Sequence, residues 1–222
     1  TGNVLADQVW APRLGRCARP RVAHLRWLRQ RVFAFLANAT SDAVAGGETL
    51  VLVERTAVVF ARNTDWNRRH GHSLSRTLSI PKQLANRRVL HDFDASVRAP
   101  AERYARQRGL RLVVHSDGAP LPSLWEQLRL FSTARVILAP MGAAEVLALA
   151  APTGSCLVEL QESAWRARTG QLLPRSDDTY AQLARAMAIQ YVRVKTISLQ
   201  VNASQVAAGL ACCGHAASCS HQ

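Results

Sequence analysis

Apolar residues fall along this chain in short unbroken runs separated by stretches at helical spacing. Leu110-Arg111-Leu112-Val113-Val114-His115, Arg135-Val136-Ile137-Leu138-Ala139 and Ser155-Cys156-Leu157-Val158-Glu159-Leu160 have strand length. Continuous rather than alternating apolar runs predict parallel strands covered on both faces. Leu124 to Thr133 places its apolar residues at helical spacing, and Pro140-Met141-Gly142-Ala143-Ala144 opens a small-residue helix that runs to Ala151. Pro152-Thr153-Gly154 reads as a turn. The order strand, helix, strand, helix, strand predicts βαβ units and an α/β fold with a Rossmann-like parallel sheet.

The flanks extend the pattern. His24 to Asn38 reads as an amphipathic helix, with Leu25, Leu28, Val32, Phe35 and Leu36 on one face. Thr49 to Val53 is a further strand, with Glu54 and Arg55 at its carboxyl end. Pro100 to Gly109 carries Pro in its first turn and Gly just past its end, the expected asymmetry of a helix. Thr179 to Ala188 predicts a short helix and Tyr191 to Val194 a closing strand. The domain organisation that follows is a lead-in and helix over 1–48, remnant of a preceding half or a linker. A Rossmann-like domain covers 49–195, and 196–222 reads as a disordered tail.

Parallel sheets bind ligands beyond the carboxyl ends of their strands, near a topological switch. That rule points to the turn after Ala139. Free N–H groups at the start of the following helix attract anions, and the small residues Gly142, Ala143 and Ala144 let a diphosphate approach the backbone. Glu159 ends the next strand, where a carboxylate accepts hydrogen bonds from a ribose. Arg55, at a neighbouring strand end, offers a guanidinium fork to a phosphate. Phosphate, ribose and arginine together describe a nucleotide-sugar pocket.

Composition narrows the picture only slightly. The chain has 222 residues and begins at Thr1, which reads as a fragment of a longer protein. The net charge is +13, and every basic residue except Lys82 and Lys195 is Arg. Such a charge suits a polyanion partner. The basic residues are scattered, however, and the five Trp, three Tyr and five Phe fall mostly in predicted core segments. A nucleic-acid surface with aromatics interleaved among Arg is therefore not expected. No apolar run approaches the roughly 20 residues that span a bilayer.

The five cysteines, Cys17, Cys156, Cys212, Cys213 and Cys219, define no disulfide framework by spacing, and Cys156 falls in a predicted buried strand. Asn38-Ala39-Thr40 and Asn202-Ala203-Ser204 are glycosylation sequons that permit a secretory-lumen address. Three constellations have metal-ligand types: His70 with His72, Asp92 with Asp94, and the cluster of Cys212, Cys213, His215, Cys219 and His221. The first lacks a third ligand, the second reads as a turn, and the third matches no zinc-finger spacing. No metal ligand is assigned.

The order of these residues resembles the catalytic domain of glycosyltransferase family 61, over roughly Leu50 to Val194. In that family a strand ends in Arg, followed eight residues later by Asn and then an acidic residue; Arg55, Asn63 and Asp65 keep that spacing. A helical Gln corresponds to Gln127. The family's His-Gly-Ala-Gly-Leu-Thr-Asn type turn corresponds to Met141-Gly142-Ala143-Ala144-Glu145-Val146-Leu147. Its Pro-x-Gly-Ser and strand-end Glu correspond to Pro152, Gly154, Ser155 and Glu159, and its closing helix and Tyr strand to Tyr180–Ala188 and Tyr191.

The resemblance implies the C-terminal half of a GT-B glycosyltransferase, the half that holds the donor. The implied reaction is inverting transfer of a sugar from a nucleotide-sugar, UDP-linked, to a hydroxyl of a glycoprotein or polysaccharide. Arg55, Asn63, Gln127, Gly142, Ala143 and Glu159 become the donor-binding residues. No catalytic base is assigned, a divalent metal is optional, and the address is the lumen of the Golgi or endoplasmic reticulum, with a membrane anchor outside this chain. Met141, Ala144, Glu145 and Leu147 depart from the family's turn, and Val59 stands where a second Arg is usual. Glu145 sets a negative charge where a phosphate would sit. These departures carry the alternative reading, a non-catalytic homologue that keeps the fold as a binding or scaffold module.

Overall fold

A computed structural model describes residues 22–39, 48–55, 90–116, 122–162, 179–196 and 200–214. Five parallel strands form one sheet: β1 (Thr49–Glu54), β2 (Arg111–Ser116), β3 (Ala134–Pro140), β4 (Cys156–Glu162) and β5 (Gln190–Thr196), in the spatial order β2-β1-β3-β4-β5. Among the described residues five α-helices flank it: α1 (Val22–Ala39), α2 (Ala99–Gln107), α3 (Leu124–Ser132), α4 (Thr179–Ala186) and α5 (Ala203–Ala211). The predicted α/β class and parallel sheet are both present.

The unbroken apolar runs are explained by burial on two faces. Leu50, Val51 and Leu52 are consecutive and each 0% exposed, which an alternating strand with one wet face does not allow. Leu50, Leu52, Val136, Leu138, Val158 and Leu160 meet α2 and α5 on one side. Val51, Val53, Ile137, Ala139 and Leu157 meet α1, α3 and α4 on the other. The distribution of helices follows from crossover handedness. The chain steps from β1 to β2 in one direction with α2 on the first face. It returns from β2 past β1 to β3, then on to β4 and β5, with α3 and α4 on the second face. Keeping one hand while reversing direction requires this change of face.

Local signals set the ends of several elements. Ser123 caps α3: its Oγ accepts from the Glu126 N–H at 3.3 Å, and the Glu126 carboxylate accepts from the Ser123 N–H at 2.7 Å. These bonds from Ser123 hold the Glu126 carboxyl below its usual range. Pro100 lies in the first turn of α2, and Gly109 follows its end at φ +64°, a left-handed conformation that favours glycine. A π-helical turn, Asp94–Arg98, precedes α2 without a break.

The small-residue helix expected after Met141 is present as a 3₁₀ helix, Ala143–Ala150. It packs against α1 and α3.

The helix within 1–48, expected as a remnant of a preceding half or a linker, packs on this sheet. Val32 and Leu36 of α1 are buried in the second core layer. The Arg29 guanidinium donates to the carbonyls of Met187 at 2.6 Å and Ala151 at 2.8 Å. Helix α1 is thus a layer of the same domain, and burial lowers the pKa of Arg29.

The tail is likewise ordered across 200–214. Helix α5 buries Val206 and Leu210 against the sheet, and Gly209 lets it lie so close that an added Cβ would stand 2.5 Å from Val194 Cγ2. Finally, Cys156 and Cys213 form a disulfide, with Cα atoms 5.6 Å apart across 57 residues of sequence. Spacing did not show this pair, because it joins the start of a central strand to a helix end.

Candidate functional site

The strand order reverses between β1 and β3: from β1 the chain goes first to β2 on one side and later to β3 on the other. The carboxyl ends of β1 and β3 therefore flank the switch, and the crevice outside them is where such sheets take ligands. Arg55 follows β1 and Met141 follows β3, so both residues stand at this edge. The position inferred from the sequence, the turn after Ala139, is at the switch.

Arg55, Gln127, Gly142, Ala143 and Glu159 fall within the described residues. Arg55 is half-buried, and its Nε is buried without a hydrogen-bond partner among the described residues. Its neighbour Glu54 pairs with Arg98 at 3.3 Å on the π-helical turn. Arg98 also reaches Asp94 at 3.1 Å, so Asp94 is engaged in an ion pair. Asp92 occupies a turn at φ +50°, with its carbonyl accepting from the Ser96 N–H at 2.8 Å. Among the described residues no group of three His, Cys, Asp or Glu is placed to hold a metal ion. Asn63, Asp65, His70, His72, His215, Cys219 and His221 lie outside the described residues.

Gly142 is buried, and its N–H donates at 2.8 Å to the carboxylate of Glu145, itself 0% exposed. The donor that the sequence reading offers to a phosphate is thus engaged by a residue three positions on. Ala143 starts the 3₁₀ helix beside it. Gln127 lies in the first turns of α3, and its side-chain amide donates to the Pro122 carbonyl at 2.8 Å, closing the loop before the helix. Met141 is tied to β4 by its N–H to the Leu160 carbonyl at 3.1 Å, and its sulfur accepts from the Gln161 amide at 3.7 Å.

Glu159 is also 0% exposed. It pairs in register with Ala139 on one side and Arg193 on the other. The Tyr191 hydroxyl donates to its carboxylate, and Arg193 Nε donates to the Tyr191 oxygen at 3.2 Å. The Arg193 guanidinium also lies 5.6 Å from the centre of the Tyr191 ring. Burial, and then the neighbouring Glu159 carboxylate, push the Tyr191 hydroxyl pKa well up, so it remains a proton donor.

Carboxylate, phenol and guanidinium thus form a relay across β4 and β5. Sequence reasoning placed Glu159 at the strand end; β4 instead runs on to Glu162, so Glu159 lies inside the strand, where Tyr191 and Arg193 reach it from β5. Their i, i+2 spacing puts both on one face of β5, and only the β4–β5 register turns that face toward Glu159. His115 was also missed as a member of this edge. It is buried near the end of β2, pairs in register with Val53, and stands edge-on to Phe131 with ring centres 5.7 Å apart.

No helix among the described residues is long and apolar enough to cross a membrane. No family model matches the chain, and no curated protein sequence matches it.

Proposed function

We propose that this chain is the donor-binding half of a GT-B glycosyltransferase related to family 61. It takes a UDP-linked sugar at the β1/β3 switch for inverting transfer to a hydroxyl of a glycoprotein or polysaccharide. The observation that carries the reading is Arg55: a guanidinium at the carboxyl end of β1, beside the switch, whose buried Nε has no hydrogen-bond partner among the described residues. Leaving a buried donor unpaired costs about 1–3 kcal/mol, and a diphosphate oxygen would remove that cost. In the reaction the acceptor hydroxyl attacks the anomeric carbon and loses its proton to a base. The bond from that carbon to the diphosphate breaks, and Arg55 stabilises the charge on the leaving group. Asn63, Gln127, Gly142, Ala143 and Glu159 complete the donor site in this reading. The Cys156–Cys213 disulfide supports a secretory-lumen address, because such bonds persist in oxidising compartments.

A second reading has its own support. Glu145 engages the Gly142 N–H and brings a carboxylate to the turn, and Glu159 is engaged by Tyr191. Both features suit a non-catalytic homologue that keeps the fold as a binding or scaffold module.

Titration with UDP by calorimetry separates the two. The transferase reading expects saturable binding that Arg55→Ala weakens at least tenfold while the melting temperature stays within a few degrees. A folded chain that does not bind UDP, GDP or CMP at millimolar concentration overturns it in favour of the scaffold.

A further inference from the structure

We infer that Asn202 is an attachment site for an N-linked glycan. The inference rests on the lumenal address proposed above. Asn202-Ala203-Ser204 is one of two Asn-x-Ser/Thr triplets in the chain, and such a triplet is an acceptor only where it reaches solvent. It does so here: Asn202 and Ser204 are both exposed, at the first turn of α5.

The hydrogen bonds of the side chain divide its two ends. Oδ1 accepts from the Ser204 N–H at 2.9 Å and from the Ser204 hydroxyl at 3.0 Å. The backbone N–H of Asn202 is separately satisfied by the Gln205 side chain at 3.2 Å. Nδ2 makes no hydrogen bond among the described residues. Because the amide carries its oxygen and nitrogen on opposite sides of Cγ, an oxygen turned toward the helix leaves the nitrogen turned away from it. A glycan on Nδ2 therefore leaves the helix cap intact and projects into water. The buried side of α5, with Val206, Gly209 and Leu210, faces the sheet and is untouched.

The co-reactant is a lipid-linked oligosaccharyl pyrophosphate, delivered by the transferase of the lumenal membrane. The Asn202 Nδ2 forms a bond to the anomeric carbon of the first sugar. The bond from that carbon to the pyrophosphate oxygen breaks, the lipid pyrophosphate leaves, and Nδ2 gives up one proton to a base of the transferase.

The test is translation of the full chain behind a cleavable signal sequence with microsomes, reading only the protease-protected fraction. Every sample carries Asn38→Asp, which removes the other triplet. The expected result is one mobility step that peptide-N-glycosidase erases. Asn202→Asp and Ser204→Ala lose the step, and Ser204→Thr retains it. Asn202→Asp keeps an Oδ acceptor for the cap, so loss of the step there is not loss of folding. A protected chain without the step, or a step that survives Asn202→Asp, overturns the proposal. In the native protein, a Cys156–Cys213 disulfide with a bare Asn202 overturns the glycan alone. Cys156 and Cys213 open to alkylation without reduction overturn the lumenal address, and the glycan with it.

Discussion

The Tyr191 hydroxyl donates a hydrogen bond to Glu159 across two neighbouring parallel strands, although the register pairs Glu159 with Arg193 and Tyr191 with Leu157. The long phenol spans that offset and reaches a carboxylate that is 0% exposed. Burial and the adjacent negative charge hold the Tyr191 hydroxyl protonated well above its ordinary value of 10.0. The raised value sets the sign of the pH effect. The stabilisation is fully present below about pH 10, where tyrosine is neutral in both folded and unfolded chains. It is lost as pH rises above that value, since the unfolded chain then ionises and the folded one does not. A phenolate absorbance titration should therefore show one of the three tyrosines ionising only with unfolding. Tyr191→Phe should remove that late component and lower stability at pH 7 by about 1–3 kcal/mol, because it leaves a buried acceptor short of a donor. A titration in which all three ionise together in the folded chain would contradict the relay.

The disulfide joins residues 57 apart, Cys156 at the start of β4 and Cys213 just after α5. Loop-closure entropy for a crosslink of that span stabilises the fold by about 4 kcal/mol. Thiol reductants should lower the denaturant midpoint of the wild-type chain. The double variant Cys156→Ala, Cys213→Ala should start at the lower midpoint and respond no further to reductant at this pair.

Gly209 is required by proximity, not by backbone conformation. Its missing Cβ would meet Val194 Cγ2 at 2.5 Å and Val158 Cγ1 at 3.4 Å. Ala is the better helix former, so propensity alone favours Gly209→Ala by roughly 1 kcal/mol. Overpacking between α5 and β5 costs about 1–3 kcal/mol and outweighs that gain. Net destabilisation in chemical denaturation is the expected result, relieved in part by the double variant with Val194→Ala.

Glu145 decides whether the turn after β3 is open to an anion. Glu145→Ala frees the Gly142 N–H and removes a negative charge from the site. If UDP binds at the switch, its affinity should rise about tenfold, the equivalent of 1.4 kcal/mol. Glu145→Gln retains an acceptor for Gly142 and should give a smaller rise. Unchanged UDP affinity in both variants would place the nucleotide away from this turn.

Helix α1 depends on Arg29, whose guanidinium links it to the Met187 and Ala151 carbonyls and, at 3.2 Å, to Thr153 Oγ1. Arg29→Ala should cost about 1–3 kcal/mol and expose α1 to hydrogen exchange before the strands. Arg29→Lys recovers only part of this, because an ammonium lacks the planar fork that meets several acceptors at once.

Patterning by itself determined the elements and the class. Runs such as Leu50–Val53 and Val136–Ala139 are apolar on consecutive residues, and only a strand buried on both faces accounts for that. The helices between them then required parallel crossovers, which sets the carboxyl ends of the strands along one edge. Arg55 and the turn at Gly142 were legible for the same reason: both immediately follow strands.

Pairings between distant residues were not legible. Glu159 reads as a solvated strand end until β5 is laid beside β4, the strand runs on to Glu162 and Tyr191 reaches the carboxylate. The Gly142 N–H reads as an open anion donor until Glu145 folds back on it. Residues 200–214 read as a tail because their few apolar positions need the sheet to complete a core, and Cys156 and Cys213 are partners only through that docking. Local periodicity depends on neighbours in sequence, whereas the satisfaction of buried polar groups depends on register and on which helix covers which face. The first is set by the order of residues along the chain, and the second only by the folded structure.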